Sequence, residues 1–376
     1  MRHILLIDDC YPINTRNQKI LNSLREHYGE QVKLSVITWD RNNDYQEQIE
    51  NYHVFQKISA YGNKTRKLLN LWKYRNYCHD TIHKLQPDVI IASHWNNLLI
   101  VPRLNHNRQM LIYENLDVPT EAYVFRKITS ILEHWKMRQV DLTIHASRFF
   151  IQLYPSKRKQ LILENKPAFQ PPVPQPYNIH TPLRIAFIGL LRYRDISKTL
   201  IDAIRNDSRF QLFFHGDGHA RLFLEEYAAN ASNILFTGRY AYEDVTKLYQ
   251  QTDVVWAAYP NKDFNVIYAI SNKFHESLSF GIPTVYANKT RLGDFVVNHG
   301  IGIAVDPYSV DAIKQLLSYI VEHQEYLTKI AINMRKYSET QTTWNEDFEK
   351  ITEAIDCFFN KVLDIQKKIA TFVQVK

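Results

Sequence analysis

The chain has 376 residues, of which 45% are hydrophobic, 23% charged and 13% aromatic. That is the composition of a globular protein of about two domains, and it excludes disorder over most of the length. The net charge of +7 belongs entirely to residues 1–165, where 23 Lys and Arg face 16 Asp and Glu, so the N-terminal half is the one suited to an anionic partner surface.

The chain opens on "HILLID" (3–8), a strand pattern too short for a signal peptide. No later run approaches the roughly 18 apolar residues of a membrane span, so the expected compartment is the cytoplasm. Cys10, Cys78 and Cys357 offer no disulfide framework and no zinc-ligand spacing. A helix follows over 14–29, with Asn14 or Thr15 as N-cap and Gly29 past its end. Strands are predicted at 33–39 and 53–58, a long helix at 63–85, and strands at 88–93, 109–115 and 141–147. Alternating strands and helices predict a parallel sheet covered on both faces.

Six prolines between 165 and 182 exclude a helix or a central strand and mark a linker, taken as 166–182. The alternation then restarts: strands at 183–189, 210–216, 234–238 and 253–259, with helices at 195–206, 220–230 and 241–251 between them. "YAISNKFHESLSFGIPT" (268–284) reads as one helix stopped by Gly281 and Pro283, with Lys273, His275 and Glu276 in its middle. Strands at 283–288 and 302–307 and closing helices complete the pattern. The fold class is therefore α/β, as two tandem Rossmann-like domains, 1–165 and 183–340. Residues 341–376 are terminal helices expected to return toward the first domain. Two such domains place a ligand in a cleft at the carboxyl ends of their strands.

Gly189 ends a strand and "LLRYRD" (190–195) leads into a helix, with Arg192 and Arg194 where an anion would meet the helix N-terminus. The competing reading is a tight turn with two solvated arginines. "HGDGHA" (215–220) is a second glycine turn, where Gly216 and Gly218 let backbone approach a ligand. No Gly-x-Gly-x-x-Gly, no Walker loop and no Asp-x-Asp occurs, so a bound diphosphate would rely on cations and helix ends instead of a metal. Lys273 and Glu276 share a helix face, either as a surface ion pair or as ligands for a phosphate and a ribose diol.

"NVIYAISNKFHESLSFGIPTV" (265–285) resembles the donor-binding segment of retaining GT-B glycosyltransferases, especially family 4. The segments 183–204, 212–218 and 234–256 resemble that family's upstream elements in order. The resemblance implies a transferase that moves a sugar from a nucleotide-sugar, UDP-linked by preference, to a glycan, lipid-linked or protein acceptor. It implies no cofactor and no metal. A nucleic-acid partner is suggested by the basic half alone and is not expected, because no helix-turn-helix, zinc or RNA-binding signature supports it. By position, Glu276 would bind the ribose, with Asn272 beside it. Arg192, Arg194 and Lys273 would stabilise the departing diphosphate, with Gly189, Gly216 and Gly218 against it. As an exposed carboxylate, Glu276 is expected to contribute little to stability. The family's acidic residue eight positions before Glu276 is Tyr268 here, which leaves Asp263 or Asn265 as substitutes, or Tyr268 as core filler. His94 in "IIASHWNN" is similar to a histidine near the donor sugar, or is a satisfied strand-end histidine. Thr15, Arg16, Glu114 and Asp117 are weaker acceptor candidates.

The basic helix 64–77, with Leu68, Leu69, Leu71 and Trp72 interleaved, either lies on an anionic membrane, peripheral at its inner face, or packs on its own sheet. A nucleotide-sugar 2-epimerase of the same fold and a non-catalytic partner or chaperone subunit are the competing functions. Donor hydrolysis separates the transferase from the last of these.

Overall fold

A computed structural model describes residues 1–58, 64–106, 108–119, 123–154, 158–167 and 177–374. The chain divides into two units, Met1–Glu164 with Thr343–Lys376, and Asn165–Thr342. Residues 168–176, half of the proline-rich stretch, lie outside the described residues.

The first unit contains β1 (Arg2–Asp8), α1 (Thr15–Tyr28), β2 (Val32–Asp40), β3 (Tyr52–Gln56), α2 (Lys64–Leu85), β4 (Val89–Ser93), α3 (Trp95–Ile100), β5 (Met110–Asn115), α4 (Tyr123–Met137), β6 (Leu142–His145) and β7 (Lys159–Ile162). Its described strands form a parallel sheet in the order β3-β2-β1-β4-β5-β6-β7. Every residue of β4 and β5 is buried, as expected of strands covered on both faces. Asn14 is the N-cap of α1: its side chain accepts from Asn17 N–H at 2.8 Å, and Gly29 at φ 54 ends the helix. The C-terminal helix Trp344–Gln374 belongs to this unit. Trp344, Phe348, Ile351, Ile355 and Phe359 recur at helical spacing and join Ile20, Leu21 and Leu24 of α1 in one core. Trp344 Nε1 donates to Ser23 Oγ at 2.9 Å, which sets the register of that contact.

The second unit contains β8 (Leu183–Ile188), α5 (Arg194–Ile204), β9 (Phe210–His215), α6 (Arg221–Ala228), β10 (Ile234–Gly238), α7 (Val245–Gln250), β11 (Val254–Ala257), α8 (Phe264–Tyr268), α9 (Asn272–Phe280), β12 (Thr284–Ala287), α10 (Arg291–Asn298), β13 (Ile303–Val305), α11 (Val310–Glu322) and α12 (Gln324–Glu339). Its sheet is parallel in the order β10-β9-β8-β11-β12-β13. Strand order reverses beside β1 in one sheet and beside β8 in the other. The crevice at the carboxyl ends of such a pair is where open α/β sheets hold ligands.

Helices α3, α4 and α10 were not predicted, and three further elements differ from expectation. β7 was not foreseen, because "KQLI" is short and only half-buried; its pairing with β6 decides it. The helix expected at 241–251 begins as a 3-10 turn, Tyr242–Asp244. The helix expected from Tyr268 is two helices. Asp263 caps α8 by accepting from Asn265 N–H and Val266 N–H, the chain turns extended at Ala269 and Ser271, and α9 starts afresh at Asn272. Lys273 therefore stands in a first helical turn, not mid-helix.

Candidate active site

The two glycine turns of the second unit are built against each other. Gly189 N–H donates to His215 O at 2.8 Å, and Leu191 N–H to Asp217 O at 2.9 Å. A Cβ on Gly216 would lie 1.9 Å from Gly189 O, and one on Gly218 would lie 2.3 Å from Leu191 O. Both clashes are with backbone, so no side-chain shift relieves them. Gly189, at φ +143, has its open face toward Lys273, whose Cε would sit 3.5 Å from an added Cβ. A cavity of about 540 Å³ opens along Gly189–Leu190, Gly216–His219 and Arg239–Tyr240. Asp217 at its rim accepts from Gly218 N–H at 2.8 Å and Arg239 Nε at 3.0 Å, and these bonds hold its carboxyl below the usual range.

Two helix N-termini begin at this edge. Neither α5 nor α9 has a side-chain cap on its first amides, a feature they share with α3, α6, α7 and α12, while α1, α8, α10 and α11 are capped by Asn14, Asp263, Thr290 and Ser309. Uncapped amides at the positive end of the helix dipole suit an anion. Lys273 Nζ donates to Glu276 Oε2 at 2.5 Å, with the two side chains only 10% and 12% exposed. Tyr249 Oη donates to the same oxygen at 2.8 Å. Burial, and then the Glu276 charge, push the Tyr249 and Tyr259 hydroxyls far up. Glu276 is thus not the exposed carboxylate expected. It is a half-enclosed anion with two partners, and its removal would strand a cation and a buried hydroxyl.

The remaining donor-side candidates fall around this pair. Arg192 is exposed, lies over the Tyr193 ring at 5.9 Å, and has no ion-pair partner among the described residues. Its charge acts on Tyr259 together with that of Glu276. Arg194 turns the other way, onto Phe223 at 5.1 Å and the His219 carbonyl at 3.5 Å. Asn272 accepts from Asn165 Nδ2 at 3.0 Å. Tyr268 is half-buried, 5.2 Å from the Phe264 ring and 5.6 Å from the Arg291 guanidinium, so it is not core filler. Asn265 lies one turn before it on α8, and the Asp263 carboxylate is spent on capping that helix.

In the first unit a polar cluster occupies the carboxyl ends of β1 and β4. Asn17 Nδ2 bridges Asp8 Oδ2 and Ser93 Oγ, each at 2.8 Å. Burial raises the Asp8 pKa, opposed by its bonds to Asn17 and Asn14. Asp9 takes Asn96 Nδ2 at 2.9 Å and pairs with Arg41. His94, half-buried, caps α3 at φ 69 and ψ 155, a conformation of glycine that a histidine holds only under strain. Arg16 and Glu114 are 4% and 0% exposed and pair at 2.6 Å, so these two acceptor candidates are presented to each other and not to solvent. Thr15 is exposed and Asp117 half-buried. Of the basic helix 64–77, the side chains of 64–68 lie outside the described residues. Sequence reasoning missed Tyr249, Tyr259 and the Asp8–Asp9 cluster. Tyr249 meets Glu276 across 27 positions, and no local pattern announces such a contact.

Residues 171–337 match the family model described as glycosyl transferases group 1. A comparison with curated protein sequences finds no match. Among solved structures, sucrose-phosphate synthase from Thermosynechococcus elongatus is similar at a TM-score of 0.72 and 12% identity, over 96% of this chain and 100% of that one. Anabaena Alr3699/HepE in complex with UDP and glucose is similar at 0.66 and 15%, over 95% and 100%. The apo lipopolysaccharide outer core galactosyltransferase WaaB is similar at 0.63 and 14%, over 95% and 99%. The two parallel sheets are the GT-B fold, and within the second unit residues 171–337 are similar to the glycosyl transferases group 1 family.

Proposed function

We propose that the chain is a retaining, metal-independent glycosyltransferase that uses a UDP-linked sugar. The observation that carries this reading is the meeting of cation and carboxylate beside Gly189: Lys273 reaches over the turn and holds Glu276, between two uncapped helix N-termini. A diphosphate on that turn would meet the amides of α5, Arg192 and Lys273, and Glu276 would accept from the ribose hydroxyls. Arg192 is assigned the leading role over Arg194, because Arg194 is engaged with Phe223. UDP is assigned because the similar Anabaena protein was captured with UDP and glucose.

In the step we propose, the bond between the anomeric carbon and the diphosphate oxygen breaks, and the diphosphate leaves with the electron pair. The acceptor oxygen bonds to the same face of that carbon, and its proton passes to the departing phosphate. Cations and helix dipoles aimed at the leaving group supply the stabilisation a metal would otherwise give. His94 and the Asp8–Asp9 cluster are assigned to the sugar and its acceptor, a glycan, lipid-linked or protein hydroxyl.

A thermal-shift panel of UDP- and GDP-sugars, with and without chelator, tests the donor. A bound donor raises the melting temperature by mass action. The expected result is a rise with UDP-sugars that survives chelation, and an α-linked donor giving an α-linked product by NMR. A panel with no shift overturns the donor reading, and an inverted product overturns the mechanism.

A further inference from the structure

The first unit carries a surface that the donor site does not explain. Helix α4 presents Phe125, Ile128, Ile131, Leu132 and Trp135 to solvent, with Ile131 67% and Trp135 57% exposed. At 3.6 residues per turn these five fall within an arc of about 120°. The opposite face of α4, through Thr129, Glu133, Lys136 and Met137, is the one that is buried. An amphipathic helix with its apolar stripe outward has been built for contact with something apolar. Leu69 and Trp72 of α2, at i and i+3, are exposed as well.

Trp135 also lines a cavity of about 590 Å³ between α2, the segment after α3, and α4. Its walls include Arg75, His79, Arg103, Lys136, Arg138 and Arg158. Arg75, Arg103 and Arg138 have no carboxylate partner among the described residues. The nearby acids are Asp141, shared between His106 at 3.2 Å and Arg158 at 3.5 Å, and Asp80 beside His79. Burial lowers the His79 and Lys136 pKa values, and the Arg75 charge lowers both further. Lys136 instead reaches the Val101 carbonyl at 2.6 Å.

We propose that the outward stripe of α4, with the cationic cavity at its end, is a docking face for an anionic lipid bilayer. The apolar side chains enter the headgroup boundary, Trp135 sits at the interface, and the arginines take lipid phosphates. Charge decides between this occupant and a second copy of the chain. The arginines at the end of the stripe complement anionic headgroups, whereas a dimer that packed two α4 helices in parallel would bring like charges together. No helix among the described residues is long and apolar enough to cross a membrane, so the contact is one of surface docking.

The test is co-sedimentation of the full chain with vesicles of phosphatidylcholine alone and of phosphatidylcholine mixed equally with phosphatidylglycerol. Binding is expected to the mixed vesicles only. The double variant Arg103→Gln, Arg138→Gln should lower the partition coefficient roughly thirtyfold, and Ile131→Glu by about tenfold or more. All three positions are exposed, so the melting temperature and the response to UDP should not move, which separates this proposal from the donor reading. Three outcomes overturn it. The wild type may stay in the supernatant or bind both vesicles equally. Inorganic phosphate may stabilise the wild type but not the double arginine variant, without vesicle binding, which assigns the cavity to a soluble anion. Ile131→Glu may instead dissolve a concentration-dependent dimer and leave sedimentation unchanged.

Discussion

The assignment of Glu276 to the ribose and Lys273 to the diphosphate can be separated by one set of binding measurements. Glu276→Gln keeps the shape of the side chain, and its amide oxygen can still accept from Tyr249. What is lost is the negative charge. Hydrogen bonds to charged groups contribute about 1.5–3 kcal/mol against 0.5–1.5 for neutral ones, so the loss is about 1–1.5 kcal/mol, or roughly 5- to 12-fold in Kd. A ribose contact predicts the same factor for uridine, UMP and UDP by calorimetry. Lys273→Met should leave uridine unchanged and weaken binding more with each phosphate added. The free protein gives a second reading: Glu276→Gln leaves a Lys273 that is 10% exposed without its counter-charge. Such a loss costs about 1–3 kcal/mol, and at about 2–4 °C per kcal/mol for a unit of this size the melting temperature falls by roughly 2–12 °C. If Glu276→Gln binds uridine like the wild type and weakens only UDP, the carboxylate acts through Lys273, and the ribose assignment fails.

Arg192→Ala should lower turnover at least about tenfold more than Arg194→Ala, with little change in melting temperature for either, because both side chains are exposed and only the first faces the Glu276 group. Equal losses in kcat would remove the distinction. Gly218→Ala places a methyl 2.3 Å from the Leu191 carbonyl at a φ of +151, so loss of stability by about 2 kcal/mol or more is expected in urea titration. Gly189→Ala meets only Lys273 Cε at 3.5 Å, so it should disturb UDP binding more than Gly218→Ala does per unit of lost stability. Burial lowers the pKa of His3, His53, His79, His145 and His215 in the folded state. The unfolded chain then binds more protons once pH drops below about 6.5, so stability should fall from there downward. A melting temperature that is flat between pH 7.5 and 5.5 would contradict this, with His145→Gln expected to flatten part of the slope.

The parallel sheets were readable because their strands are buried apolar runs, such as "VIIAS" in β4, and because glycines and prolines punctuate them. The glycine turns were readable as sites of close approach, but not the reason for it. Gly216 and Gly218 are required by each other's neighbouring turn, through contacts 27 positions apart, before any ligand arrives. The break between α8 and α9 was hidden because Tyr268–Ser271 contains no glycine or proline. The cap at Asp263 starts α8 upstream of the stretch where the helix was expected to begin, and the chain is extended at Ala269 and Ser271 before α9. Arg16 and Glu114 misled in the opposite sense: each is a charged residue near a strand or helix end, and only the fold shows that they bury one another.

The pairing of Lys273 with Glu276 bears on why the site is built from an i, i+3 pair at all. Each side chain is largely enclosed in the free protein, at 10% and 12% exposure, and each needs a polar partner there. The pair supplies that partner on the first turn of α9, with Tyr249 completing the set. A nucleotide diphosphate offers each member a new partner at the same time, a phosphate to the lysine and a diol to the carboxylate. The pair is then not broken without compensation. UDP, which supplies both partners, should therefore bind more tightly than the product of the separate affinities of uridine and inorganic pyrophosphate, which supply one each. A measured UDP affinity no greater than the stronger of those two alone would show that the pair does not act as a unit.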